Sequence, residues 1–141
     1  MFRSVMSILA GVVLGGVVVG SVEAVGHLLY PLPTGLDIDD PKALALAMAE
    51  LPMGAFLMVQ LAWFLGAACS AWLASRLALA EPLLCGVLAA LVMLAFAVMN
   101  LIMIPSPLWF ILITPVVYLF GGGLGLWPVW QRTRPVRAPV S

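Results

Sequence analysis

The sequence predicts an all-α polytopic membrane protein, a four-transmembrane-helix bundle with both termini cytoplasmic. Three observations carry that expectation. Of 141 residues, 65% are hydrophobic and 9% charged, and the mean hydropathy is +1.20, far outside the usage of soluble globular domains. Residues 4–22, 51–75 and 82–131 contain no charged side chain, and Pro105-Ser106-Pro107 interrupts the last run midway. At about 20 residues per crossing, this makes four spans. The arginines are also sorted: Arg3 precedes the first span, Arg76 lies between the second and third, and Arg132, Arg134 and Arg137 follow the fourth. Basic flanks stay cytoplasmic.

The spans are expected near residues 5–30, 51–75, 83–104 and 108–127, in one transmembrane domain over residues 1–127 that leaves no room for a soluble unit. In the first, Arg3 precedes an apolar run and Val22-Glu23-Ala24 loosely resembles a signal-peptidase site. The run is longer than the usual ~7–15-residue signal core, so a retained span is expected. Residues 31–50 form the external connection, where Asp37, Asp39 and Asp40 stand against one lysine. Asp40 followed by Pro41 is a helix-start signal, an acidic cap ahead of proline at the first helical position. Residues 43–49 alternate alanine with leucine or methionine, yet all are strong helix formers. A short helix is expected there, lying at the interface or leading into the second span, with Pro52 bending it or marking where the lipid-facing part begins.

The third and fourth spans are joined so tightly by Pro105-Ser106-Pro107 that they must run antiparallel. Trp109 on one side, and Trp72 and Trp127 on the other, suit the two membrane interfaces. Cys69 and Cys85 lie near the cytoplasmic ends of their spans without a CxxC spacing, which suits reduced packing residues. Residues 128–141 read as an Arg/Pro-rich, disordered cytoplasmic tail.

The elements E-A-V-G-H, P-L-P-T-G-L-D, E-L-P-M-G-A and A-W-F-L-G together resemble a type of short bacterial four-span membrane protein of unknown function. The resemblance covers most of the chain. It implies a bacterial inner-membrane fold and brings no activity with it.

Several functional classes are disfavoured. Zero formal net charge leaves nucleic acid no electrostatic footprint. Gly121-Gly122-Gly123-Leu124-Gly125 lacks the Lys-Ser/Thr of a phosphate-binding loop, so no nucleotide is expected, and D-I-D-D lacks the glycine and distal glutamate of a calcium loop. There is no HExxH, no pair of intramembrane aspartates and no serine companioned by the lone histidine. An enzyme is therefore the third choice, represented by a Glu–His dyad acting as base on a lipid head group or quinone.

What remains is Glu23 and His27, four residues apart inside an apolar span. Ionisable groups at membrane depth cost roughly 2.5 kcal/mol or more and usually face a protein interior. At 100° per residue Gly16, Gly20, Glu23 and His27 share an arc of about 60°. Gly86, Ala89, Met93 and Asn100 do the same on the third span, and Thr114, Tyr118, Gly121 and Gly125 on the fourth. Small residues let helices approach closely in lipid, so Gly16, Gly20, Gly86, Gly121 and Gly125 are the expected packing positions. Gly11, Gly15 and Gly26 form a second small face, for another helix or a neighbouring subunit.

The polar positions fall in the external half and most of the glycines deeper. This predicts a bundle pinched on the cytoplasmic side and splayed around an outward pocket. Glu23, His27, Glu50, Asn100, Thr114 and Tyr118 are the candidate binding or proton-relay residues. Glu23 and His27 could share a proton or hold a divalent metal, with Glu50 or Asn100 adding an oxygen and a subunit interface completing the set. Haem is disfavoured: Met93 or Met103 would have to supply the second axial ligand, and core filling explains them better. The expectation is a homo-oligomer in the lipid bilayer that binds or transports a proton, cation or small solute. The rival is a non-catalytic accessory or scaffold protein, in which Glu23 and His27 satisfy one another, Asn100 and Tyr118.

Overall fold

The computed structural model describes residues 2–33, 35–37 and 40–133. Asp39 of the connection, and Arg134 and Arg137 of the tail, lie outside the described residues. The described chain is all helical: α1 (Phe2–Leu29), α2 (Pro41–Glu50), α3 (Met53–Leu77), α4 (Pro82–Met103) and α5 (Leu108–Thr133). Four of these, all but α2, are long and apolar enough to cross a membrane.

The helix boundaries follow from local chemistry. Asp40 caps α2, its carboxylate accepting from the Lys42 backbone N–H at 2.9 Å, with Pro41 in the first turn. At Leu51 and Pro52 the backbone is extended, so α2 ends and α3 begins as separate helices. Glu81 turns the chain from α3 to α4 with a left-handed backbone (φ 52°), and Pro82 opens the next helix. After the Pro105-Ser106-Pro107 turn, the Pro107 carbonyl accepts from Phe110 and Ile111 to start α5.

The fourth span does not stop at Trp127. α5 continues through Pro128 to Thr133, so the first residues assigned to the tail are helical. A proline inside a helix removes one donor without ending it when side-chain packing holds the next turn. Here Val129 is buried and Trp130 stacks on Trp127 with ring centroids 5.7 Å apart.

α3 is the hub, packing against α1, α4 and α5. One half of it is built from small residues that serve three faces. Gly66, Ser70 and Ala74 meet Gly11 and Gly15 of α1; Ala71 and Ser75 meet Gly86 of α4; Phe64, Ala67 and Ala68 present backbone and a methyl to Gly121 and Gly125 of α5. The same contacts fix direction. Gly11 lies by Ala74 and Gly26 by Met58, so α1 runs antiparallel to α3. α4 is antiparallel to α3 and α5 parallel to it.

The choice of glycines on α1 corrects the sequence expectation. Gly11, Gly15 and Gly26 are buried, whereas Gly16 and Gly20 are exposed and would meet nothing within 4 Å if given a Cβ. Both faces of α1 carry small residues, and a wheel of α1 alone does not separate them. What selects the first is its register with Gly66, Ser70 and Ala74. Gly86, Gly121 and Gly125 do pack as expected.

At Gly125 an added Cβ would run into the Ala68 carbonyl, and at Gly11 it would lie 2.5 Å from the Ser70 carbonyl oxygen. Gly125→Leu and Gly11→Leu are expected to destabilise the protein by about 1–3 kcal/mol or more, and Gly123→Leu, whose added Cβ would meet nothing within 4 Å, to stay within about 0.5 kcal/mol. Thermal unfolding of the detergent-solubilised variants checks the contrast.

Candidate functional site

Beyond the small-residue half, α3 changes character. Phe56, Gln60 and Trp63 recur at helical spacing, and all three are buried. Phe56 borders one cavity and Trp63 a second.

The first, of about 150 Å³, lies at the end where α1 leads into α2, and is lined by Glu23, His27, Tyr30, Phe56, Asn100 and Phe110 among others. The second, of about 270 Å³, extends along α1 and α4 and is lined by Gly16, Glu23, Trp63, Met93, Asn100 and Tyr118 among others. Glu23 and Asn100 border both.

Of the sequence-predicted residues, Glu23, His27 and Asn100 thus meet at the mouth cavity. Tyr118 joins Glu23 and Asn100 on the second cavity. Thr114 lines neither; it is buried in a polar contact with α3. Glu50 is exposed at the end of α2 and also lines neither cavity. The extended backbone at Leu51 and Pro52 ends α2 at Glu50, so the helical periodicity of α3 does not carry Glu50 towards the bundle interior.

Glu23 has a partner that sequence reasoning missed. The Trp63 indole Nε1–H donates to Glu23 Oε1 at 3.0 Å. Among the described residues, no side-chain hydrogen bond joins Glu23 to His27, Asn100 or Tyr118. Trp63 is in turn fixed by rings, with centroids 5.4 Å from Phe110 and 6.1 Å from Tyr118. Phe110 continues to Phe56 at 5.5 Å. The carboxylate is therefore held by a neutral donor seated in an aromatic chain.

Gln60 was missed as well. Its Nε2 donates to Thr114 Oγ1 at 3.0 Å and to the Phe110 carbonyl at 3.2 Å, while Thr114 Oγ1 donates to that same carbonyl at 2.8 Å. Gln60 Oε1 is buried without a partner. A signal for both residues existed: on a wheel started at Met53, Phe56, Gln60, Trp63 and Ala67 fall within about 60°.

Metal binding at Glu23 and His27 lacks further protein ligands, since among the described residues no three His, Cys, Asp or Glu side chains converge. The methionines considered for haem diverge, Met93 being buried and Met103 75% exposed.

Thr114→Val removes one of the two acceptors of the Gln60 amide and leaves the Phe110 carbonyl, so it is expected to cost about 0.5–1.5 kcal/mol. Gln60→Leu removes the same contact, and the double variant should therefore lose less than the sum, with a coupling of about 0.6–1.7 kcal/mol. Unfolding of the four proteins in a double-mutant cycle measures it.

No protein-family model, curated protein or solved structure matches the chain, so function is argued from the site itself.

Proposed function

We propose that this chain is a multi-pass protein of a bacterial cytoplasmic membrane, a four-helix transmembrane bundle with both termini inside. Its polar pocket opens outward and binds, or carries across the membrane, a proton, a cation or a small solute. One observation carries the reading: a single cavity gathers Glu23 and His27 of α1 and Asn100 of α4, at one end of the helices. Polar groups that only set helix register have no need of a cavity beside them.

The charges support the orientation. Arg3, Arg76 and Arg132 lie at helix ends that the antiparallel packing brings to one side, opposite the cavity mouth. Arg76 sits over the Trp72 ring at 5.6 Å there, in keeping with a cationic and aromatic interface. Asp37 and Asp40 belong to the other side. Homo-oligomerisation is part of the proposal: α1 is the least enclosed of the membrane-length helices, 17% of its apolar window being buried, and its Gly16–Gly20 face is open to a second copy.

A scaffold role is the second reading, favoured by the Trp63–Glu23 and Gln60–Thr114 bonds, which tie α3 to α1 and α5. If it holds, Glu23→Gln and His27→Ala lower stability and change no ligand-, metal- or pH-dependent behaviour.

In a background where Cys69 and Cys85 are replaced by alanine, His27→Cys is expected to react with an impermeant thiol reagent added outside intact cells. Arg132→Cys should react only after permeabilisation. The opposite pattern reverses the topology, and an unreactive His27→Cys removes the outward pocket.

A further inference from the structure

The walls of the mouth cavity narrow the class of solute. Among the described residues Glu23 is the only carboxylate on them, and no lysine or arginine lines them; His27, one turn further along α1, is the sole basic side chain. The carboxylate's hydrogen-bond donor is the neutral Trp63 indole. Asn100 and Ser106 add two polar groups, and most of the remaining wall is hydrocarbon and aromatic ring, with Tyr30, Phe56 and Phe110 from three different parts of the chain. Phe56 and Phe110 pack edge to face, and Phe110 leads on to Trp63.

Small hard cations do not suit such a wall. Calcium and magnesium need about six or more oxygen ligands, from protein or retained water, and transition metals need a set of nitrogen, sulfur or carboxylate groups that does not converge here. An alkylated ammonium ion has the opposite needs. Its charge is diffuse and weakly hydrated, its methyl groups favour apolar contact, and aromatic faces attract it. One carboxylate among rings is the complement of that chemistry.

We propose that the mouth cavity binds a small organic cation of the quaternary ammonium type. Its charge lies against Glu23 and its alkyl groups against Tyr30, Phe56 and Phe110. This rests on the reading of the cavity as a binding site and specifies what it takes. Tyr30 is the residue that shapes the entrance: it follows the last turn of α1, and its hydroxyl lies over Gly54, where any larger residue would displace it.

The test is calorimetric titration of the purified full chain with choline, and with its uncharged isostere in which a tert-butyl group replaces trimethylammonium. Choline is expected to bind saturably and about tenfold or more tighter than the isostere. Glu23→Gln should bring choline down to the isostere's level, while Glu23→Asp keeps a preference for the cation. Tyr30→Leu should weaken choline by about three- to tenfold and Tyr30→Phe leave it nearly unchanged, because the ring and not the hydroxyl faces the charge. Equal affinity for the two probes, or choline binding that survives Glu23→Gln, overturns the proposal. The Tyr30 pair keeps the test decisive if Glu23→Gln does not fold. Outside labelling of His27→Cys is independent of any ligand. Labelled protein without a choline preference removes only the ammonium assignment, whereas unlabelled protein removes the pocket with it.

Discussion

Three membrane-length helices lean on one, and that requirement shapes the rest of the molecule. In lipid there is no hydrophobic drive bringing helices together, so association depends on close packing and on polar contacts. α3 meets the requirement along one half with Gly66, Ala67, Ser70, Ala71, Ala74 and Ser75, and α1, α4 and α5 answer with glycines opposite. Carbonyl oxygens of α3 face those glycines directly, the geometry in which Cα–H···O contacts add to dispersion. Over that stretch Ala67, Ser70, Ala71 and Ala74 are fully buried, while Trp72 keeps an exposed side.

The other half of α3 cannot pack in the same way. Phe56, Gln60 and Trp63, all buried, stand where the small residues would have continued. One cavity is bordered by Phe56, and the other by Trp63, reaching along α1 to Val12. Glu23 borders both. An ionised side chain at depth costs roughly 2.5 kcal/mol or more, and a hydrogen bond to a charged group contributes about 1.5–3 kcal/mol. One indole donor offsets much of that cost but occupies a single acceptor position of a group that offers about four.

Much of this was legible in the sequence. Span number, the Asp40-Pro41 helix start and the tight turn at residues 105–107 follow from composition and local chemistry, which act over a few residues. The meeting of Glu23, His27 and Asn100 was legible because each shares a helix face with small or polar neighbours. Three features were not. The glycines of α1 that pack were misassigned because register between helices is a property of two sequences at once. Gln60 and Trp63 were overlooked because their partners, Thr114 and Glu23, lie on other helices, and such pairing too depends on two sequences at once. The extension of α5 past Pro128 rests on packing by Val129 and Trp130, which outweighs the local penalty of proline and leaves no local sign of doing so.

The two functional readings make different demands on space. A pair of groups that only locks helices together is best sealed, since every cavity beside it gives up dispersion contacts. Here Glu23 and Asn100 border a cavity on each side, and the residues lining the two run along α1 from Val12 to Tyr30. At 1.5 Å per residue that stretch rises about 27 Å, close to the ~30 Å hydrocarbon thickness of a bilayer. Among the described residues, the one carboxylate on either wall sits between the two spaces, held by an indole that packs against Phe110 and Tyr118. Loose packing borders Glu23 on both sides, whereas Gly11, Gly86, Gly121 and Gly125 lie in close contact with the α3 backbone.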